Sequence, residues 1–144
     1  KSFVVRGLTL IELLVVMAIV MVVAGFGVTI GIDSYRRSEI RNERSLLVGL
    51  LERARNKAMN NYKEMPHGVH ITSSAFTSFE GSAYVSGSAT NESFEGNPGV
   101  TAGGLTEVVF GQLSGVPNAT GDITLSDTVQ TVTISLNEEG QINW

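Results

Sequence analysis

Few residues of this chain have the types and spacing that chemistry requires. His67 and His70 stand three apart, but metal ligation needs further nitrogen, sulfur or oxygen ligands at compatible spacing, and none follows. The plainer reading is one turn histidine and one sheet histidine. Asp122, Asp127 and the turn Asn137–Glu139 present oxygens of the kind calcium takes, yet they form no recognisable ligand series, which favours solvated acidic turns. There is no cysteine, so neither disulfides nor thiolate sites exist. The glycines of "TAGG" precede neither a lysine nor a helix pattern, so they make no phosphate loop. Serine, histidine and aspartate are scattered without a nucleophile–base arrangement. These residues predict no enzyme, no metal and no cofactor. One oddity remains: Glu12 is a lone carboxylate in an apolar run, five residues after Gly7, which itself follows Arg6.

From Leu8 to Ile32 the only polar side chains are Thr9, Glu12 and Thr29. About 20 helical residues cross a hydrocarbon core of roughly 30 Å, so the run is long enough to span a bilayer. A secretory signal would have a shorter core and a small-residue cleavage site at its far end. Here the far end, "GVTIGIDSYRR", continues into another helical pattern, which predicts a retained span.

Between Tyr35 and Asn61 apolar residues narrow to a stripe. Ile40, Leu47, Leu50, Leu51, Ala54 and Ala58 recur at helical spacing, with Leu46 widening the stripe and Arg and Glu on the other faces. No proline precedes Pro66, so one helix is expected from about Leu8 to about Asn61, on the order of 80 Å long, ended by "MPHG". Its amphipathic half needs a covering partner.

Beyond Gly68 short runs take over: "GVHI", "AFTSF", "AYV", "EVVFG", "DITL", "TVTISL" and "QINW", punctuated by Gly, Ser, Asn and Pro. This texture predicts a small antiparallel sheet. Val132, Ile134 and Leu136 alternate with polar residues, and "NEEG" turns the chain into "QINW", a hairpin signal. Residues 81–104 lack periodicity and read as a surface loop. The expected fold class is α+β: a long N-terminal α-helix packed on a small antiparallel β-sheet head. The expected divisions are residues 1–7, a membrane helix 8–32, an amphipathic helix 33–63 and a head 64–144.

All ten Lys and Arg residues lie in residues 1–63 beside five acids, whereas residues 64–144 hold nine acids and none of the ten. The two parts therefore carry +5 and −9, summing to the net −4. A head of that sign repels phosphate backbones and argues against a nucleic-acid partner.

The N-terminus resembles a known family. "RGLTLIELLVVMAIV" is similar to the class III signal of type IV pilins and type II secretion pseudopilins, in which a basic leader ends in Gly and a Glu stands fifth in the mature chain. "SLLVGLLERARNKAMNN", "GVHI" and "AFTSFEG" look most like the H-type minor pseudopilins and T-type fimbrial minor pilins, with looser matches in "VVFGQLSG" and "ISLNEEGQI". Leu8 replaces the commoner Phe, and Thr29 stands where the family usually has a proline.

The resemblance implies that residues 1–7 are a leader cut between Gly7 and Leu8 by a prepilin peptidase, which then N-methylates Leu8. It implies that Glu12 pairs with the N-terminal ammonium of an adjacent subunit. The partners implied are copies of the chain or other pilins in a helical filament, an inner-membrane assembly platform and, before assembly, the lipid bilayer. The chain would be a single-pass inner-membrane protein first and part of an extracellular or periplasmic filament afterwards. Gly25, Gly27 and Gly31 either let helices approach closely or let the helix loosen. Two other functions compete: a tip subunit binding DNA or secreted substrate, and a single-span protein that never polymerises.

Overall fold

The computed structural model describes residues 9–144, with side chains described over 9–25 and 38–144. Helix α1 runs Leu10–Met59. The chain divides into two compact units between Arg37 and Ser38.

In the first unit, every large apolar side chain from Leu10 to Val23 is more than half exposed. A helix apolar on all sides has no face to give to water, so lipid or other helices must cover it. Among the described residues, no helix is long and apolar enough to cross a membrane.

The second unit is α+β. The rear of α1 is followed by a 3-10 turn, Tyr62–Glu64, and eight strands: β1 (His67–Ile71), β2 (Ala75–Glu80), β3 (Glu92–Glu95), β4 (Thr101–Gly104), β5 (Glu107–Phe110), β6 (Gly121–Ser126), β7 (Thr131–Leu136) and β8 (Ile142–Asn143). They form two antiparallel sheets, ordered β3-β2-β1-β5 and β4-β6-β7-β8, where alternation alone predicts a single one. Alternation marks which strands exist; it carries no signal for which strand neighbours which.

The helix stripe is the core of this unit. Ile40, Leu47, Leu50, Leu51, Ala54 and Ala58 are all buried, and Leu46 packs at their edge. They meet Val69, Ile71, Phe76, Val108 and Phe110 of the first sheet and Ile123, Leu125, Ile134 and Leu136 of the second in one continuous cluster. The hairpin joining β7 and β8 is present, with Leu136 opposite Ile142.

Three expectations change. The helix stops at Met59, before Pro66: Asn61 takes a left-handed conformation (φ 53°), which asparagine tolerates better than most residues, and Leu113 donates its N–H to the Ala58 carbonyl at 2.9 Å. The region 81–104 contains β3 and β4. Both are edge strands whose side chains are mainly exposed, so no apolar alternation announces them. The run "AYV" is not a strand. Its Tyr84 ring covers the far face of the first sheet, stacking on His70 at 4.1 Å and meeting Phe79 edge-on at 5.8 Å.

That second, smaller core explains Gly68. A Cβ there would lie 2.5 Å from Phe79 Cζ and 2.7 Å from the Val108 carbonyl oxygen. Gly68→Ala is therefore expected to cost about 1–3 kcal/mol through overpacking, read as a lowered urea midpoint with an unchanged slope.

Candidate functional site: the helix start and the helix–head joint

The first turn of α1 is built by Thr9 and Glu12. The Glu12 N–H donates to Thr9 Oγ1 at 3.4 Å, and the Thr9 N–H donates to Glu12 Oε2 at 3.4 Å. This reciprocal pair is a capping box, two orphan donors satisfied by the two side chains of a T-x-x-E sequence. A carboxylate in the first turn also lies at the positive end of the helix dipole. Glu12 is exposed and holds no cation among the described residues. Its carboxylate is thus held in the first turn of an otherwise apolar rod.

Thr9→Ala should remove one of these bonds at about 1 kcal/mol. We expect about fivefold faster amide exchange in the first turn, with little effect beyond it.

Gly7 and Leu8 lie outside the described residues, as do the surroundings of Gly27 and Gly31. Gly25 is described, and a Cβ built there meets nothing within 4 Å.

The remaining candidates lie in the second unit and do not converge. His67 is buried, its Nε2 2.9 Å from the Tyr62 carbonyl oxygen. His70 lies on the opposite face of β1, as an odd spacing in a strand dictates, with Nδ1 3.8 Å from Glu107 Oε2. The two rings cannot share a metal. Asp122 is on β6, Asp127 on the β6–β7 turn and Asn137–Glu139 on the β7–β8 turn. Asp127 Oδ1 accepts the N–H groups of Val129 and Gln130, and Asn137 Oδ1 those of Glu139 and Gln141. Each therefore organises its own turn. Among the described residues, no three His, Cys, Asp or Glu side chains group as metal ligands.

One working residue carries no motif in the sequence. Glu43 is 7% exposed on α1, and its Oε2 accepts the Asn97 N–H at 3.2 Å. Gly96 lies so close that an added Cβ would meet Glu43 Oε1 at 2.5 Å. This carboxylate fastens the loop between β3 and β4 to the helix, and with it one edge strand of each sheet. Its position, three after Ile40 and four before Leu47, is the signal that would have placed it on the buried stripe.

The joint after the helix is also fastened by charge. Lys63, itself left-handed (φ 55°), places Nζ 2.7 and 2.8 Å from the two Glu80 oxygens. That hydrogen bond holds the ammonium above its ordinary value.

A family model for the prokaryotic N-terminal methylation motif matches residues 4–28. This match supports the type IV pilin and pseudopilin family. The methylation motif spans Gly7, Leu8, the Thr9–Glu12 capping box and Gly25, and ends inside α1. It marks the chain as a prepilin-like substrate, implies processing by a prepilin peptidase, and implies inner-membrane anchoring before assembly. The family so marked is structural and not catalytic. No curated protein and no solved structure matches the chain.

Proposed function

We propose that the chain is a structural subunit, pilin or pseudopilin, of a type IV pilus-like or type II secretion filament, with its fuller sequence resemblance pointing to the H-type and T-type minor subunits. The observation that carries this reading is the methylation motif at residues 4–28 leading into a helix whose rear half is the core of a β-sheet head. Residues 1–7 are the leader, cut after Gly7, and Leu8 is the methylated first residue. Lys1 and Arg6 hold the leader on the cytoplasmic side, as the positive-inside bias favours. The run 8–32 spans the inner membrane until assembly exchanges lipid for the apolar helices of other subunits. No catalytic or cofactor role is assigned.

Glu12 gains a two-stage role. Before assembly, the Thr9 N–H donates to the carboxylate, so it is not orphaned near the lipid. In the filament, the Leu8 ammonium of an adjacent subunit becomes its partner, and correct stagger follows because either charge buried alone is costly. The head carries nine acids and no Lys or Arg over residues 64–144, which supports a non-DNA-binding subunit.

The test is incorporation. The chain, expressed with a prepilin peptidase and an assembly platform, should appear in sheared filaments or in periplasmic pseudopili with its leader removed. Recovery only as an uncut membrane protein in such cells would sink the reading.

A further inference from the structure

The second unit separates its charges in space as well as in sequence. Arg53 and Arg55 lie roughly 200° apart around α1, so they point from opposite flanks at the same level. Arg53 Nη1 reaches Glu92 Oε2 on β3 at 3.2 Å, on the flank of the first sheet. Arg55 Nη2 donates to the Glu139 carbonyl in the β7–β8 turn at 3.0 Å, on the flank of the second. Lys57, one turn beyond Arg53, shares its flank and lies 5.5 Å from the Tyr62 ring centroid. The level of residues 53–57 therefore has Arg53 and Lys57 on one flank, and on the other an acidic turn that Arg55 fastens by its backbone.

The cationic flank is also concave. Gly49, Asn56, Asn60 and Tyr62 line a shallow depression with Arg53 and Lys57, and Glu52 stands in the same lining. A Cβ on Gly49 would meet nothing within 4 Å, so the floor is open. On the acidic side Glu138 is exposed at the tip of its turn. Its neighbour Glu139 already engages Asn137 Nδ2 at 3.1 Å, and Glu80 and Glu92 are engaged by Lys63 and Arg53. Arg55 stands at the same turn but is spent on the Glu139 carbonyl, and among the described residues Glu138 holds no ion pair.

We propose that the depression at Arg53 and Lys57 receives the β7–β8 turn of a second copy, with Glu138 facing Lys57. This inference rests on the filament-subunit reading and adds the contact that fixes lateral register. The two surfaces differ, so the contact is heterologous, and repeating it extends an open array of copies. A single exposed ion pair contributes little affinity. Its consequence is register and on-rate, both weakened by salt.

The chain has no cysteine, which makes engineered thiols unambiguous. Full-length Asn60→Cys and Glu139→Cys chains, co-expressed with peptidase and platform, are treated with a short bismaleimide. A crosslinked dimer is expected from the mixture and not from either variant alone. A Val16→Cys chain reports helix packing independently, since Val16 is exposed on the apolar segment. Glu138→Lys and Lys57→Glu, which replace attraction by like-charge repulsion, should each lower filament yield about threefold at low salt, and the two together in one chain should restore it. A Val16 crosslink without the 60–139 crosslink, or wild-type yield from Glu138→Lys, overturns the lateral contact and leaves the subunit reading standing. Loss of the Val16 crosslink as well overturns both. Capture of Asn60→Cys only by a different polypeptide overturns the choice of a second copy.

Discussion

Glu12→Ala is expected to reduce incorporation into filaments by at least a hundredfold while leaving membrane insertion intact. Removing one partner of a buried ion pair leaves the other charge unanswered, at about 3–5 kcal/mol. Each 1.4 kcal/mol is a factor of ten, so the loss per contact exceeds two orders of magnitude. Insertion should survive because deleting a carboxylate makes the run more apolar. The capping box complicates this experiment in a useful way, since Glu12 also accepts the Thr9 N–H. Glu12→Gln separates the two roles: its amide oxygen can keep the cap, but the charge is gone. It should therefore start the helix normally and still fail to assemble. Thr9→Ala loses cap energy and keeps the charge, so it should assemble nearly as well as the parent. If Glu12→Gln assembled normally and Thr9→Ala failed, Glu12 would be a helix cap and no register mark.

The second large effect lies in the head. Leu51→Ala is expected to destabilise the folded unit by about 2–5 kcal/mol, because Leu51 is fully buried where the helix meets both sheets. Against a typical total of about 5–15 kcal/mol, that is enough to make the head the weak point of the chain. Urea unfolding followed through the Trp144 fluorescence would read it. Leu46→Ala, at the partly buried edge of the same stripe, should cost clearly less. Equal costs would mean that the helix is not the core of the head.

The helix stripe was legible because burial at 3.6-residue spacing is a property of sequence alone, and the six residues expected inside are inside. Glu43 sits at stripe spacing, three after Ile40 and four before Leu47, yet an acid there reads as surface until its partner is known. That partner is the backbone N–H of Asn97, 54 residues away, and no local pattern points to it. Strands β3 and β4 were hidden for a related reason. Their ladder hydrogen bonds come from β2 and β6, and their own side chains face water. The capping box is legible in "TLIE", whose T-x-x-E signature coincides with the acid in the apolar run. The helix end shows the limit of proline as a stop signal. The left-handed Asn61 ends the helix earlier, with help from Leu113 across the fold.

The most direct test is the intact mass and N-terminal sequence of the mature chain, isolated from cells with an active prepilin peptidase. The account predicts a chain that begins at Leu8 and carries one added methyl group on its terminal amine. A chain still bearing Gly7 and the residues before it, or one beginning elsewhere in the apolar run, would contradict it.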